Sequence, residues 1–138
     1  MPLGRTTDTP RRDAKTFLAK AEEFLRAAER AASAGDHDAA LLAAIHSAMT
    51  ANDAACATLL GRRSSDPDHQ RAADLLESAG DRTPEVAQRA RQLRSLLKKK
   101  NLVEYEARRA TVAESHDALE RAQRFVAWSR EVAERGGL

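Results

Sequence analysis

The chain has 138 residues, of which 42% are hydrophobic and 32% are charged, and it carries a net charge of +2. These values are typical of one globular domain and exclude a disordered chain. The 29 alanines and 15 leucines outnumber six valines and isoleucines combined. We therefore predict an all-α protein, because alanine is the best helix former and β-branched residues favour strands.

Membrane and secretion signals are absent from the sequence pattern. No apolar run approaches the roughly 18 residues of a membrane-spanning helix. The first twelve residues lack the apolar stretch of a signal peptide. A single cysteine, Cys56, cannot form an internal disulfide. We therefore expect a cytoplasmic protein that does not enter a membrane.

Glycines and prolines divide the chain into five predicted helices, since glycine is favoured just past a helix end and proline in a first turn. The predicted helices span residues 10–34, 36–60, 66–79, 83–107 and 111–135. Candidate N-cap residues are Asp36, Asp66, Thr83 and Thr111, and Glu114 completes a capping box with Thr111. We expect a flexible tail at 1–9, one domain at 10–135 and a frayed C-terminus at 136–138.

Apolar residues recur at helical spacing in the long predicted helices, for example Phe17, Phe24 and Leu25 in the first. Single apolar stripes are best buried in an up-down bundle of four long helices plus one short helix. Because alanine makes the core thin, burial against a second copy favours a homodimer. Trp128 lies at the edge of the fifth stripe, where it either covers the core edge or anchors a partner.

Polar residues interrupt the second helix. Asn52 falls within the apolar stripe, where it either fixes helix register as a hydrogen-bonded core residue or belongs to a ligand site. His46 and Asp53 lie two turns apart on one flank, which is either a solvated face or part of the same site. We keep all three as candidate ligand-binding residues.

The fourth helix also breaks its pattern. Continuing its apolar stripe places Lys100 and Glu104 inside it, at a spacing that lets them pair. Alternatively, the buried face rotates toward Asn101, Leu102 and Tyr105. In either case polar groups crowd against the core at one level, which is typical of functional sites and also of a helix end.

The fourth helix is also strongly basic. Nine basic and three acidic residues between Arg82 and Arg109 give this segment +6, which leaves −4 for the rest of the chain. A basic face with hydrogen-bonding side chains suits phosphate, as in a nucleotide or an RNA backbone. Candidate ligand-binding residues here are Lys98, Arg108 and Arg109, although an ordinary solvated face has the same pattern.

Several kinds of chemistry lack their sequence signals. There is no glycine-rich phosphate loop. The four histidines lie on different segments without metal-ligand spacing, so we predict no metal site and no cofactor. Cys56 falls on an apolar stripe, which favours a buried structural thiol over a nucleophile.

Residues 100–106 (KNLVEYE), the run from Thr111 to Glu114 and residues 118–126 together resemble the C-terminal half of HEPN domains. Residues 45–48 and 52–54 resemble the second helix of that family. The resemblance implies a small bacterial helical bundle that forms dimers. Many members cleave RNA as toxins or act in RNA handling and phage defence, while others bind nucleotides or only mediate contacts.

The resemblance also implies candidate catalytic positions. Active members carry Arg, a polar residue that is often Asn and, a few positions later, His. Here Lys100 stands at the Arg position, Asn101 matches the polar residue, and Tyr105 stands at the His position. Formal Arg-to-His spacings from Arg63 to His69 and from Arg109 to His116 straddle predicted helix boundaries, and chance explains them in an Arg-rich chain.

Three functional hypotheses follow. The first is binding of RNA or a nucleotide through the basic fourth helix, with weak or no catalysis, because Tyr and Lys titrate near pH 10. The second is a metal-independent ribonuclease that uses Lys100 and Tyr105, with His46 as a further group. The third is an antitoxin-like or immunity-like interaction module in which Trp128 contacts another protein.

Overall fold

The computed structural model describes residues 3–80 and 85–138. These residues form a helical bundle with one small sheet, which confirms the all-α prediction. The elements, in chain order, are β1 (Thr6–Asp8), a short 3-10 helix (Arg11–Asp13), α1 (Ala14–Ser33), α2 (His37–Leu60), β2 (Arg62–Ser64), α3 (Gln70–Glu77), α4 (Val86–Lys98), α5 (Lys100–Tyr105) and α6 (Val112–Arg135). Within the described residues, no helix combines the length and apolarity needed to cross a bilayer.

Helix α2 forms the centre of the bundle. It packs against α1 and α6 along its length and against α3, α4 and α5 on its remaining side. Thirteen of its 24 residues are buried, and seven of these are alanines. A helix that is apolar nearly all round is buried on all sides, and its small side chains let the neighbouring helices approach closely.

Buried polar side chains connect α2 to its neighbours. Ser47 Oγ donates a hydrogen bond to the Ala21 carbonyl of α1 at 2.6 Å, and Ser129 Oγ of α6 donates to the Ala51 carbonyl at 2.7 Å. Because a buried polar group without a partner costs about 1–3 kcal/mol, these bonds favour one packing arrangement of the three helices.

Residues 6–8 and the C-terminus differ from the predicted tails at 1–9 and 136–138. Strand β1 pairs antiparallel with β2, with Thr6 opposite Ser64. At the other end, the Leu138 amide donates to the Ala133 carbonyl at 2.9 Å, and Arg11 Nη2 donates to the Gly136 carbonyl at 2.6 Å. Local composition could not indicate these contacts, because the partners of β1 and Gly136 are distant in sequence.

The third helix begins later than predicted, at Gln70 rather than Asp66. Asp66 Oδ1 accepts a hydrogen bond from the Asp68 amide at 2.9 Å, and Asp68 Oδ1 accepts one from the Gln70 amide at 3.0 Å. Asp side chains that bond to amides two residues on form turns that compete with helix. The residues before α3 therefore form a connector, and the predicted cap Thr83 lies outside the described residues.

The predicted fourth helix is divided at Lys99 into α4 and α5. The predicted pair of Lys100 with Glu104 is present, whereas the predicted rotation of the buried face is wrong for Asn101 and Tyr105 and correct only for Leu102. Lys100 Nζ donates to Glu104 Oε1 at 2.5 Å, while Leu102 is the residue that turns into the core. Asn101 and Tyr105 are exposed, and α5 packs on α2. The break therefore turns the polar residues of α5 toward the surface beside α2.

Trp128 lies in the core and is only 2% exposed. Its ring packs on Phe125 at a centroid distance of 5.6 Å, and the Arg89 guanidinium lies 5.9 Å from its centroid. Of the two predicted roles, the structure shows the packing role. The interaction-module hypothesis therefore loses the anchor that it predicted.

Candidate functional site

An open groove lies between the connector before α3 and the junction of α4 with α5. Its volume is about 340 Å³. The connector contributes Pro67, Asp68, His69 and Gln70, and the junction contributes Leu97, Lys98, Lys100, Asn101, Glu104 and Tyr105. Four predicted site residues, Lys98, Lys100, Asn101 and Tyr105, therefore share one surface.

Hydrogen bonds hold the connector both to the N-terminal segment and to α4. The Arg5 amide donates to Asp66 Oδ2 at 2.9 Å, and the Ser65 amide donates to the Arg5 carbonyl at 2.9 Å. On the other side, Gln70 Nε2 donates to the Arg94 carbonyl of α4 at 3.3 Å. These contacts fix the connector, and with it His69, opposite the lysines.

The cations near the groove differ in how strongly they are paired. Lys99 Nζ donates to Asp117 Oδ2 of α6 at 3.1 Å, and Lys100 pairs with Glu104. This hydrogen bond from Lys100 is the main reason that the pKa of Glu104 is lowered. Lys98 is exposed, and within the described part of the chain its ammonium makes no ion pair. Lys98 is therefore the cation most available to a ligand.

His46 lies next to the groove but does not line it. Partial burial lowers its pKa, and the nearby Lys100 and His69 lower it further, while Glu104 acts in the opposite direction. Its ring also lies against Phe24, at a centroid distance of 6.1 Å. The imidazole is therefore harder to protonate than an ordinary histidine, and it lies close to the Lys100 and Glu104 charges.

Asp53 lines a second cavity, of about 250 Å³, which adjoins the groove at His69. Burial raises the pKa of Asp53 to about 6, and Arg63 opposes this effect. Arg63 and His69 line this same cavity. From the sequence alone, their Arg-to-His spacing is attributed to chance. The sequence does not predict either of them as a site residue, because the β1–β2 pairing and the turns of the connector bring them close to each other.

Asn52 is a core residue, only 1% exposed. Its Nδ2 donates to the Ala72 carbonyl of α3 at 3.1 Å, and its Oδ1 accepts from Cys56 Sγ at 3.7 Å. Burial raises the pKa of Cys56, so this thiol stays protonated. Of the two interpretations of Asn52, the structure shows the hydrogen-bonded core residue, and a direct ligand contact is excluded by its burial.

Arg108 and Arg109 lie outside both cavities, in the connection between α5 and α6. The two Nη atoms of Arg108 donate to the two carboxylate oxygens of Glu114 at 2.9 and 2.8 Å. This pairing is the largest reason that the pKa of Glu114 is lowered to about 2. Arg109 pairs with Asp38 at 3.5 Å. These arginines are engaged in holding the start of α6, where Thr111 and Glu114 form the predicted capping box.

The geometry supplies exposed cationic and amide donors beside two imidazoles and a partly buried carboxylate. Among the described residues, no group of three His, Cys, Asp or Glu side chains is arranged to hold a metal ion. The arrangement is suited to binding an anion with an attached polar group.

Comparison with known proteins gives one finding. A family model described as HEPN domain matches residues 14–132, which include every α-helix described except the last three residues of α6. No curated protein and no solved structure shows significant similarity to the chain.

The raised pKa of Asp53 predicts a pH-dependent stability difference between the native protein and an Asp53→Asn variant. The folded protein keeps this proton up to about pH 6, whereas the unfolded chain releases it near the ordinary aspartate pKa of 3.8. Because the folded state binds more protons in this window, the Asp53 contribution lowers the free energy of unfolding as pH rises from about 4 to 6.

We therefore expect Asp53→Asn to raise the free energy of unfolding at pH 8 by on the order of 2 kcal/mol, with a smaller gain at pH 5. Urea unfolding of both proteins at the two pH values measures the difference. A gain that does not change with pH, or a less stable variant at pH 8, would contradict the assignment.

Proposed function

Because the chain belongs to the HEPN domain family, whose members are generally RNA-related or nuclease-like, we propose that it binds RNA or a nucleotide in the groove at the α4–α5 junction. The observation that carries this proposal is that Lys98, which is exposed and makes no ion pair within residues 3–80 and 85–138, lies beside Lys100 and Asn101 in one groove. The ammonium groups attract phosphate, and the amides of Asn101 and Gln70 donate hydrogen bonds to phosphate or sugar oxygens.

The charge distribution supports this groove over the rest of the basic segment. Arg108, Arg109 and Lys99 already have carboxylate partners, so binding a phosphate there would first require breaking an ion pair. Lys98 requires no such exchange. Lys98 is therefore the main proposed phosphate contact. Lys100, which is paired with Glu104, lines the same groove, as do Asn101, Tyr105 and, from the connector, His69 and Gln70.

The side chains of the groove favour ligand binding with weak or no catalysis. Tyr105 stands where active relatives have His, and it is 76% exposed. A phenol that titrates near pH 10 is a poor general acid–base group at neutral pH. Lys100, which is held by Glu104, serves better as a fixed charge for a phosphate than as a base.

A metal-independent ribonuclease is the second candidate, and one observation favours it. His46 and His69 are close enough for His69 to lower the pKa of His46. Two imidazoles near a phosphate site are suited to act as general base and general acid in RNA cleavage. His46 does not line the groove itself, although its neighbours Lys100 and Glu104 do, so we rank this function below binding.

We also propose that the protein is a cytoplasmic homodimer whose two grooves face each other. Among the described residues, the large apolar side chains with the greatest exposure are Phe24, Tyr105 and Val112. Phe24 contacts His46, and Tyr105 lines the groove. A second copy placed over these residues would cover apolar surface and enclose the ligand.

The binding proposal predicts weaker, less salt-dependent RNA binding when the groove lysines are removed. Fluorescence anisotropy with a labelled oligouridine 8-mer should show a loss on the order of tenfold for Lys98→Ala/Lys100→Ala. The slope of log affinity against log salt should fall by about 0.7 for the loss of Lys98, and by less for the loss of Lys100, whose charge is paired with Glu104. The control is Lys15→Ala, which lies in a separate cavity between α1 and α6. Equal losses in both variants would refute a specific role for the groove.

Catalysis is tested with the same protein and a mixed-sequence RNA. We expect the RNA to remain intact over hours at pH 6 to 9 in the presence of a chelator. Cleavage that disappears in His46→Ala but persists in the Lys15→Ala control would establish the ribonuclease instead. Gel electrophoresis of the recovered RNA distinguishes the two outcomes.

The dimer is tested by size-exclusion chromatography with light scattering. We expect a mass of about twice 15.1 kDa and a shift toward the monomer in Tyr105→Arg, because the arginine places like charges against each other at the interface. A native mass of 15.1 kDa at all concentrations would exclude the dimer.

A further inference from the structure

The cavity beside Asp53 is connected to the proposed phosphate groove through a shared residue. It is lined by Met49, Asp53, Arg63, Ser64, Ser65, Asp66, His69 and Ala72. His69 belongs to both surfaces, so a ligand held by its phosphate at Lys98 would extend past His69 into this cavity. The volume of about 250 Å³ far exceeds the ~30 Å³ share of one water, and it offers room for one planar ring system.

Two charged side chains in this cavity lack polar partners. In the part of the chain that the structure describes, neither the Asp53 carboxylate nor the Arg63 guanidinium makes a hydrogen bond or an ion pair. Arg63 is close enough to act electrostatically on Asp53, and its guanidinium lies over the Phe17 ring, 5.6 Å from the centroid. Asp66, by contrast, already accepts hydrogen bonds from the amides of Arg5 and Asp68.

These two groups define the ligand edge that fits between them. A carboxylate has only acceptors and a guanidinium has only donors, so the ligand must present N–H groups to Asp53 and an acceptor oxygen toward Arg63. The Watson–Crick edge of guanine has two adjacent N–H donors, N1–H and the 2-amino group, next to the O6 acceptor. Adenine has one amino donor and no oxygen, and uracil has a single N–H.

We propose that this cavity binds a guanine base, so that the ligand of the groove is a guanine nucleotide or a guanine in single-stranded RNA. Asp53 accepts from N1–H and the 2-amino group, and Arg63 donates to O6. The hydroxyls of Ser64 and Ser65 are available to the remaining ring atoms, and Met49 and Ala72 provide apolar surface for the ring faces. This inference rests on the proposed function, since the groove holds the attached phosphate.

The test compares the affinities of four labelled oligouridine 8-mers that differ only at the fourth position, which is uridine, adenosine, guanosine or inosine. We expect the guanosine 8-mer to bind about tenfold more tightly than the uridine and adenosine 8-mers, as one bidentate base contact supplies. Inosine, which lacks the 2-amino group, should fall between them. In Asp53→Asn this preference should disappear while the affinity for the all-uridine 8-mer is unchanged.

Matched variants show whether the effect is local. Asp8→Asn makes the same charge change at a side chain that is 98% exposed on β1, and it should keep the guanosine preference. Arg63→Gln should reduce the preference through the O6 contact. Thermal unfolding followed by circular dichroism checks that each variant is folded.

The outcomes separate this inference from the proposed function. If all four 8-mers bind equally to the native protein with the expected lysine dependence, the guanine site is overturned and the groove stands. If none binds, both proposals fail. Competition with GMP and AMP then distinguishes a free nucleotide from RNA as the natural ligand. If GMP displaces the labelled 8-mer at a lower concentration than AMP does, the ligand is a free nucleotide. If only guanosine-containing RNA displaces it, the ligand is RNA.

Discussion

The hydrogen bond from Asn52 to the Ala72 carbonyl is the contact on which the proposed site depends. It lies in the core, between the central helix α2 and the start of α3, where an unpaired amide would cost about 1–3 kcal/mol. It therefore holds α3 against α2, next to the connector that the contacts of Arg5 and Gln70 position. His69 and Gln70 are placed across from the α4–α5 junction as a result. A buried core residue thus supports the wall of the groove without lining it.

Ion pairing divides the charged residues of the chain into two groups. Arg108, Arg109 and Lys99 are paired with carboxylates of α6 or of the start of α2, so they hold the bundle together. Among the residues that the structure describes, Lys98, Asp53 and Arg63 have no such partner, and they line two adjoining cavities. Charge excess in the sequence identifies a basic segment, but pairing in three dimensions determines which of its charges remain available.

The parts predicted from the sequence are those governed by local rules. Helix periodicity, the capping box at Thr111 and the i, i+4 pair of Lys100 with Glu104 follow from residues close in sequence. The β1–β2 pairing and the cavity shared by Asp53, Arg63 and His69 depend on contacts between distant segments. The basic face of the fourth predicted helix marks Arg108 as a ligand contact, whereas in the structure its guanidinium pairs with Glu114. The connector replaced the first turn of the predicted third helix because Asp66 and Asp68 bond to the backbone.

The central claim, that ligand binds at the α4–α5 junction, is tested most directly by backbone amide NMR during titration with an oligouridine 8-mer. We predict shift changes concentrated at residues 68–70 and 97–105, with further changes at Asp53 and residues 63–65 when the oligonucleotide contains guanosine. Changes confined to the α1 and α6 surface around Glu22 and Arg130, which form an ion pair there, or no changes at all, would contradict it.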